Sequence, residues 1–386
     1  VPSSSHAPSS AFASAERSPG LRASVILTTF RSPAYLDRVL EGFARQSTGS
    51  FDVVVGEDGC TASTRAVIRR HAVHAPFAIR YLGQPYRGFD KTRILNRAIQ
   101  AATGPYLIFT DGDCVPRADF VQQHLFHARH GRFLSGGCCR LPRPLTQRIL
   151  SGTAAYDDFT NLLWLKENGL AMPSKWTWIA RHPRWAAWLD RATTTRASFN
   201  GHNASAWKAD LVRVNGFNLQ MRYGGLDREL GERLENAGIR GLQLRHRAIV
   251  YHLDHDRDYV RNSDWQRNAA IRKRVRRRGI TRAEQGLAQV TTPLEAPQDS
   301  TRDAANAEAA TRVFFTRQEI PVMDKKPSRT DLRNSADTQE QADQIFAALD
   351  RPATDLNARK TFPQDFSASG TGKGGGGGGG VASIEN

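Results

Sequence analysis

Tyr106-Leu-Ile-Phe-Thr-Asp-Gly-Asp-Cys-Val115 runs an apolar stretch and a threonine straight into two carboxylates one residue apart. A buried strand that ends in acid needs a reason, because unpaired charge beside a core is costly. A divalent cation holding a phosphate-bearing substrate is one such reason. Mg2+ and Mn2+ take oxygen ligands, and Mg2+ commonly keeps one or two carboxylates plus substrate phosphates. Asp111 and Asp113 have a suitable spacing, since alternate residues of an extended segment point the same way. Gly112 between them lets backbone approach a diphosphate closely. The competing reading is an acidic turn, for which Asp-Gly is ordinary chemistry.

Working outward, the same grammar repeats. Ala23–Phe30 and Phe51–Val55 are short apolar runs rich in β-branched residues, and Ala78–Leu82 is a third. Between them, Tyr35–Gln46, Thr64–His71 and Lys91–Ala102 read as helices; Leu36, Val39, Leu40 and Phe43 have helical spacing, as do Ile94, Leu95, Ala98 and Ile99. Strict alternation of strand and helix predicts an α/β fold, a Rossmann-like, mostly parallel sheet with helices on both faces. Ligands then bind beyond the carboxyl ends of the strands. Thr28-Thr29, Glu57-Asp58 and Asp111-Gly112-Asp113 are the polar strand exits, and all would converge on that edge.

Charge is unevenly spread over the 386 residues. Residues 1–288 hold 43 Lys+Arg against 24 Asp+Glu, a net +19, whereas the remainder holds 11 against 14. A basic body suggests polyanionic partners. The sharpest run, Arg272-Lys-Arg-Val-Arg-Arg-Arg278, reads either as a solvated helix end or as a patch for an anionic membrane surface. Nucleic acid is the weaker partner, since no zinc-finger or RRM signature accompanies the charge. Cys60, Cys114, Cys138 and Cys139 have neither disulfide nor zinc spacing and read as buried free thiols of a reducing compartment. No stretch approaches a membrane span and residues 1–20 lack a hydrophobic signal core, so the sequence reads as cytoplasmic, with peripheral attachment at the inner face of the membrane as the variant.

Residues 1–20 and 289–386 read as disordered segments flanking a body at 21–288, apart from one short helix expected at Thr338–Leu349. Gly374–Gly380 is a glycine run, and Gly372-Lys373 before it fails as a P-loop because Gly374 follows the lysine. Within the body, 21–139 reads as the nucleotide half and 140–288 as the acceptor half. The latter scatters Trp164, Trp176, Trp178, Trp185 and Trp188 among Arg and Lys, either a helical cap filling a small core or an aromatic platform for a sugar. A turn at Asn215-Gly216, a helix at Asp227–Ala237 and a strand at Arg247–His252 complete the pattern.

Taken in order, these elements resemble the inverting family 2 glycosyltransferases of GT-A fold, and in particular the bacterial branch acting on lipopolysaccharide core. Ser24–Phe30 resembles the family's first strand, Glu57-Asp58-Gly59 its nucleotide-contacting acidic turn, and Asp111-Gly112-Asp113 its DxD. Arg87-Gly88-Phe89, Arg93 and Asn96 resemble its pattern before the metal motif. Gly201-His202-Asn203-Ala204, Val214–Phe217, Tyr223–Leu230 and Tyr251-His252-Leu253-Asp254-His255 follow in the family's order.

The resemblance implies a nucleotide-sugar donor, UDP-linked, and a saccharide or glycolipid acceptor. It places Thr28, Phe30, Glu57, Asp58, Arg87, Lys91, Arg93, Asn96, Asp111 and Asn203 around the nucleotide. It puts Mn2+ or Mg2+ on Asp111, Asp113 and His252, with His255 as a further candidate. Asp227 would be the general base, with Glu229 the next acid; Leu226 stands where the family usually has Glu. A histidine beside an apolar strand is also a common packed residue, and an aspartate at a helix N-terminus is favoured by the dipole alone. Two rivals stay open: a nucleotidyltransferase on a similar fold, and a basic binding protein that keeps the scaffold without turnover.

Overall fold

The computed structural model of the chain describes residues 20–170, 183–192, 194–256, 261–290 and 313–315. All belong to the unit Val1–Glu319; the second unit, Ile320–Asn386, lies outside the described residues, as do the tail helix expected at Thr338–Leu349, the glycine run, Trp176 and Trp178.

Strands β1 (Ala23–Thr29), β2 (Phe51–Asp58), β3 (Ile79–Gln84) and β4 (Tyr106–Asp111) form the parallel half of the sheet, in the order β4-β1-β2-β3. Every residue of β1 and β2 is buried, which their unbroken apolar, β-branched composition requires. Helices α1 (Pro33–Ala44), α2 (Ala62–His74) and α3 (Lys91–Ala101) are the crossovers. Pro33 sits at the start of α1, where a missing N–H costs nothing. Leu36, Val39, Leu40 and Phe43 of α1 bury into the core on one side of the sheet, and Ile94, Leu95, Ala98 and Ile99 of α3 bury on the other. Each such side chain contributes roughly 1.5–3 kcal/mol. The register aligns the strand ends: Thr28 lies opposite both Gly56 and Asp111, and Asp58 opposite Gln84.

The second half departs from the expected parallel pattern. Strands β5 (Cys114–Pro116), β6 (Arg132–Arg140), β7 (Asn203–Trp207) and β8 (Arg240–His252) extend the sheet in the order β5-β8-β6-β7-β4. Strand β7 runs antiparallel to both β4 and β6, and β8 runs parallel to β6 but antiparallel to β5. A short β9 (Val313–Phe315) adds antiparallel to β3. The expected last strand, Arg247–His252, is only the end of the 13-residue β8.

Helices between β6 and β7 include Arg143–Leu150, Leu162–Glu167 and Pro183–Ala192. Trp164 packs partly against the core, whereas Trp185 and Trp188 are 62% and 58% exposed and meet edge to face. Among the described residues no helix is long and apolar enough to cross a membrane.

Candidate active site

The antiparallel pairing of β5 with β8 sets His252 opposite Cys114, one residue beyond Asp113. The Leu253 N–H donates to the Asp113 carbonyl at 2.9 Å, and the chain then turns so that His255 returns to the same carboxylate. Asp113 Oδ2 lies 2.8 Å from His255 Nε2 and 3.8 Å from His252 Nε2. The turn is anchored from outside: Tyr35 donates to the Asp254 carbonyl, and the Asp254 N–H donates to Thr146 Oγ1 at 2.8 Å. Burial alone would raise the Asp113 carboxyl, but the His255 hydrogen bond and the nearby imidazoles hold it well below the usual carboxylate range.

One carboxylate and two imidazoles, with donor atoms all within 4.8 Å of one another, make a set that can hold a divalent ion. Its nitrogen content suits a first-row transition metal such as Mn2+ better than the oxygen-seeking Mg2+. This group differs from the set expected from the sequence. His255 joins it, and Asp111 stands apart, accepting instead from Lys91 Nζ at 2.6 Å and Thr28 Oγ1 at 2.9 Å. Gly112 has a steric reason beside the one expected. A Cβ there would come 2.8 Å from Thr29 Cβ, so the glycine lets the strand exit pass the end of β1, to which its N–H donates.

Asp113 opens into a cavity of about 850 Å3, whose walls include Thr28, Phe30, Asp58, Lys91 and Asp111. Asp58 accepts from Gln84 Nε2 and the Asp90 N–H, both at 3.0 Å. Burial pushes its carboxyl up, and those two hydrogen bonds oppose the rise. Arg31, with a left-handed φ of 47°, lays its guanidinium over the rings of Phe30 and Tyr86, which also face the cavity.

Several residues expected at the nucleotide do not line this cavity. Glu57 faces the other side of β2, where it accepts from Tyr81 and from Thr61. Arg93 pairs with Asp90, and Arg87 is exposed on the preceding loop. Asn96 is fully buried and bridges α3 to Phe217, donating to its carbonyl and accepting from its N–H. Asn203 is equally buried and donates to the carbonyls of Gly137 and Ala248, tying β7 to β6 and β8.

Asp227 lies in the first turn of helix Leu226–Asn236, also off the cavity lining. Its Oδ2 accepts from the Gly201 N–H and its Oδ1 from the Arg228 N–H, both at 2.9 Å. Burial would lower the neighbouring His202 imidazole, yet Cys138, Asp111 and Asp227 push it up to about 9. His202 therefore lies within electrostatic reach of both carboxylates, the strand exit and the helix start. Glu229 is corrected outright. It is fully buried, with both carboxylate oxygens 2.9 Å from the Arg233 guanidinium, and serves the core.

A group that could hold a cation, and a cavity beside it, stand beyond the carboxyl ends of the parallel strands, where α/β folds bind their ligands. Residues 24–160 match the family model for glycosyl transferase family 2. Two validoxylamine A glucosyltransferases, from Streptomyces hygroscopicus subspecies jinggangensis and limoneus, are each 31% identical over 231 residues. The match covers 56% of this chain and 52% and 48% of theirs, so the chain spans about half the length of the curated relatives it matches. Among solved structures, S. aureus TarS 1–349 in complex with UDP is similar at 16% identity and a TM-score of 0.45, covering 70% of this chain and 68% of that one. The mannosyltransferase PcManGT from Pyrobaculum calidifontis, in complex with GDP-Man and Mn2+, is similar at 20% identity and a TM-score of 0.43, covering 62% and 58%. Over residues 24–160 the chain is therefore similar to glycosyl transferase family 2.

Proposed function

We propose that the protein transfers a sugar, with inversion, from a UDP-linked donor to a hydroxyl of a saccharide acceptor. The observation that carries this reading is the meeting of Asp113, His252 and His255 beside a cavity that Asp113 and His255 line together with Asp58, Lys91 and Asp111. Asp58 would read the base, and Lys91 would hold Asp111 in place beside the sugar nucleotide. Asp113, His252 and His255 would hold a divalent cation, whose chemistry there would be charge stabilisation for a leaving diphosphate. Asp227 would take the acceptor's hydroxyl proton as that oxygen bonds to the anomeric carbon. The bond from that carbon to the diphosphate oxygen breaks, and its electron pair leaves with UDP. A single displacement of this kind inverts the anomeric centre.

The relatives named for glucosyl transfer support glucose as the sugar. Lipopolysaccharide core is an acceptor whose phosphate and carboxylate groups suit the basic body, and an anionic membrane surface suits the exposed basic face of helix Asn262–Arg278. The Asp227→Asn variant tests the assignment of the base. It should bind UDP with Mn2+ as the wild type does and lose turnover by about 100-fold or more; undiminished turnover would remove Asp227 from the reaction.

A further inference from the structure

Cations on the cavity wall include Lys91, Arg31, Arg222 and Arg261, the last exposed at the start of helix Asn262–Arg278. Lys91 is engaged with Asp111, and Arg31 lies over aromatic rings. Arg222 differs. Its side chain is exposed on the wall, and its Nη1 lies 3.7 Å from where a Cβ on Gly88 would stand, so it reaches to the loop that precedes α3.

The backbone that carries Arg222 is held by a residue far along the chain, beyond the span matched by the family model. Asn268, on helix Asn262–Arg278, is 1% exposed. Its side-chain amide donates to the carbonyls of Arg222 at 3.0 Å, Tyr223 at 2.9 Å and Gly224 at 2.7 Å, and its Oδ1 accepts from the Arg222 N–H at 3.4 Å. One buried side chain thus engages three consecutive residues, and shifting the loop would leave that amide unsatisfied. Trp265, on the same helix, closes the other side. A Cβ on Gly224 would come 2.8 Å from its ring, and Gly224 has a φ of 100°. The Tyr223 ring stands edge-on to both Trp265 and Phe89. The bracing acts on the backbone that carries Arg222, and a fixed backbone narrows the space its guanidinium must search to make a planar, bidentate anion contact.

We propose that Arg222 binds the diphosphate of the donor and that Asn268 is the positioning residue that aims it. This rests on the reading of the cavity as a nucleotide-sugar site. The test is calorimetric binding of UDP, UMP and GDP, with Mn2+, to the full chain and its variants, with thermal unfolding to check that each variant folds. Arg222→Ala should weaken UDP binding roughly 10- to 100-fold, the range of a lost hydrogen bond to a charged group. UMP should lose much less, and Arg222→Lys should recover part of the loss. Asn268→Ala should weaken UDP binding too, and adding it to Arg222→Ala should cost nothing further, because the aim can be lost only once. Should Asn268→Ala fail to fold, the Arg222 variants decide alone. Wild-type UDP affinity in Arg222→Ala overturns the proposal, and losses that add reduce Asn268 to scaffolding. If the wild type binds neither UDP nor GDP, the nucleotide-sugar reading fails and the proposal with it.

Discussion

Asp113 and His255 meet at 2.8 Å, carboxylate Oδ2 to imidazole Nε2, although 142 positions of sequence separate them. The contact exists because β5 pairs with β8 and the chain turns back directly after His252. If this group holds the cation, replacing either partner must weaken metal binding. Asp113→Asn and His255→Ala should each lower Mn2+ affinity by about 100-fold, at or above what supporting residues around a metal cost. Electron paramagnetic resonance of free Mn2+ measures this. An unchanged dissociation constant in both variants would remove the site.

Glu229 gives the opposite expectation. Its ion pair with Arg233 is fully buried, and Arg233 also donates to the carbonyls of Val214 and Gly216. Glu229→Ala would strand a buried guanidinium and should cost about 3–5 kcal/mol of stability. Chemical denaturation reads that loss, while the folded fraction should keep its turnover per molecule at low temperature. Loss of turnover without loss of stability would restore Glu229 to the catalytic set.

Stability should also fall in acid through His124. Tyr106 can donate to Ser205, Ser205 to His124 Nδ1, and His124 Nε2–H to Asn203, a relay that needs a neutral imidazole. Burial lowers His124 to about 4. A histidine depressed in the folded state binds its proton more readily when unfolded. Its stabilising contribution is therefore complete above its unfolded value of 6.5 and lost as pH falls from there towards 4. The loss should amount to roughly 3 kcal/mol, seen as a steepening fall in unfolding midpoint below pH 6.5. His124→Gln, which cannot titrate, should flatten that slope; an unchanged slope would contradict the assignment.

The basic helix makes a separate prediction. Arg272 and Arg276 are tied to Glu232, which leaves Arg267, Lys273, Arg274, Arg277 and Arg278 exposed on the helix surface. At about 1 kcal/mol per charge near an anionic leaflet, the protein should sediment with phosphatidylglycerol vesicles and not with phosphatidylcholine. Reversing Lys273, Arg274 and Arg277 to Glu should abolish this, and added salt should weaken it. Equal binding to both lipids would sink the membrane reading.

The alternating half of the sheet was legible because β1 to β4 are short apolar runs and their polar exits fall at one edge. Strands β6 and β8 were not. Arg132–Arg140 is half small residues, and β8 buries His246 through Asp190, a partner 56 positions away that no local pattern reveals. Within the site, Asp113 stood out from its place at a strand end and His252 only through the family resemblance, whereas the return of His255 depends on a turn anchored by Tyr35 and Thr146. Asn96 and Asn203 misled for a physical reason. A buried asparagine that bridges backbone groups has the same sequence signature as one that binds a ligand. Arg222 was hidden because its cavity position follows from Asn268, a contact between segments 46 residues apart.

The most direct test of the central claim is release of UDP from UDP-glucose and other UDP-sugars by the purified chain, with and without Mn2+. Slow Mn2+-dependent release that disappears in Asp113→Asn is the predicted result. Folded protein that turns over no UDP-sugar in the presence of Mn2+, or whose turnover survives Asp113→Asn unchanged, would contradict it.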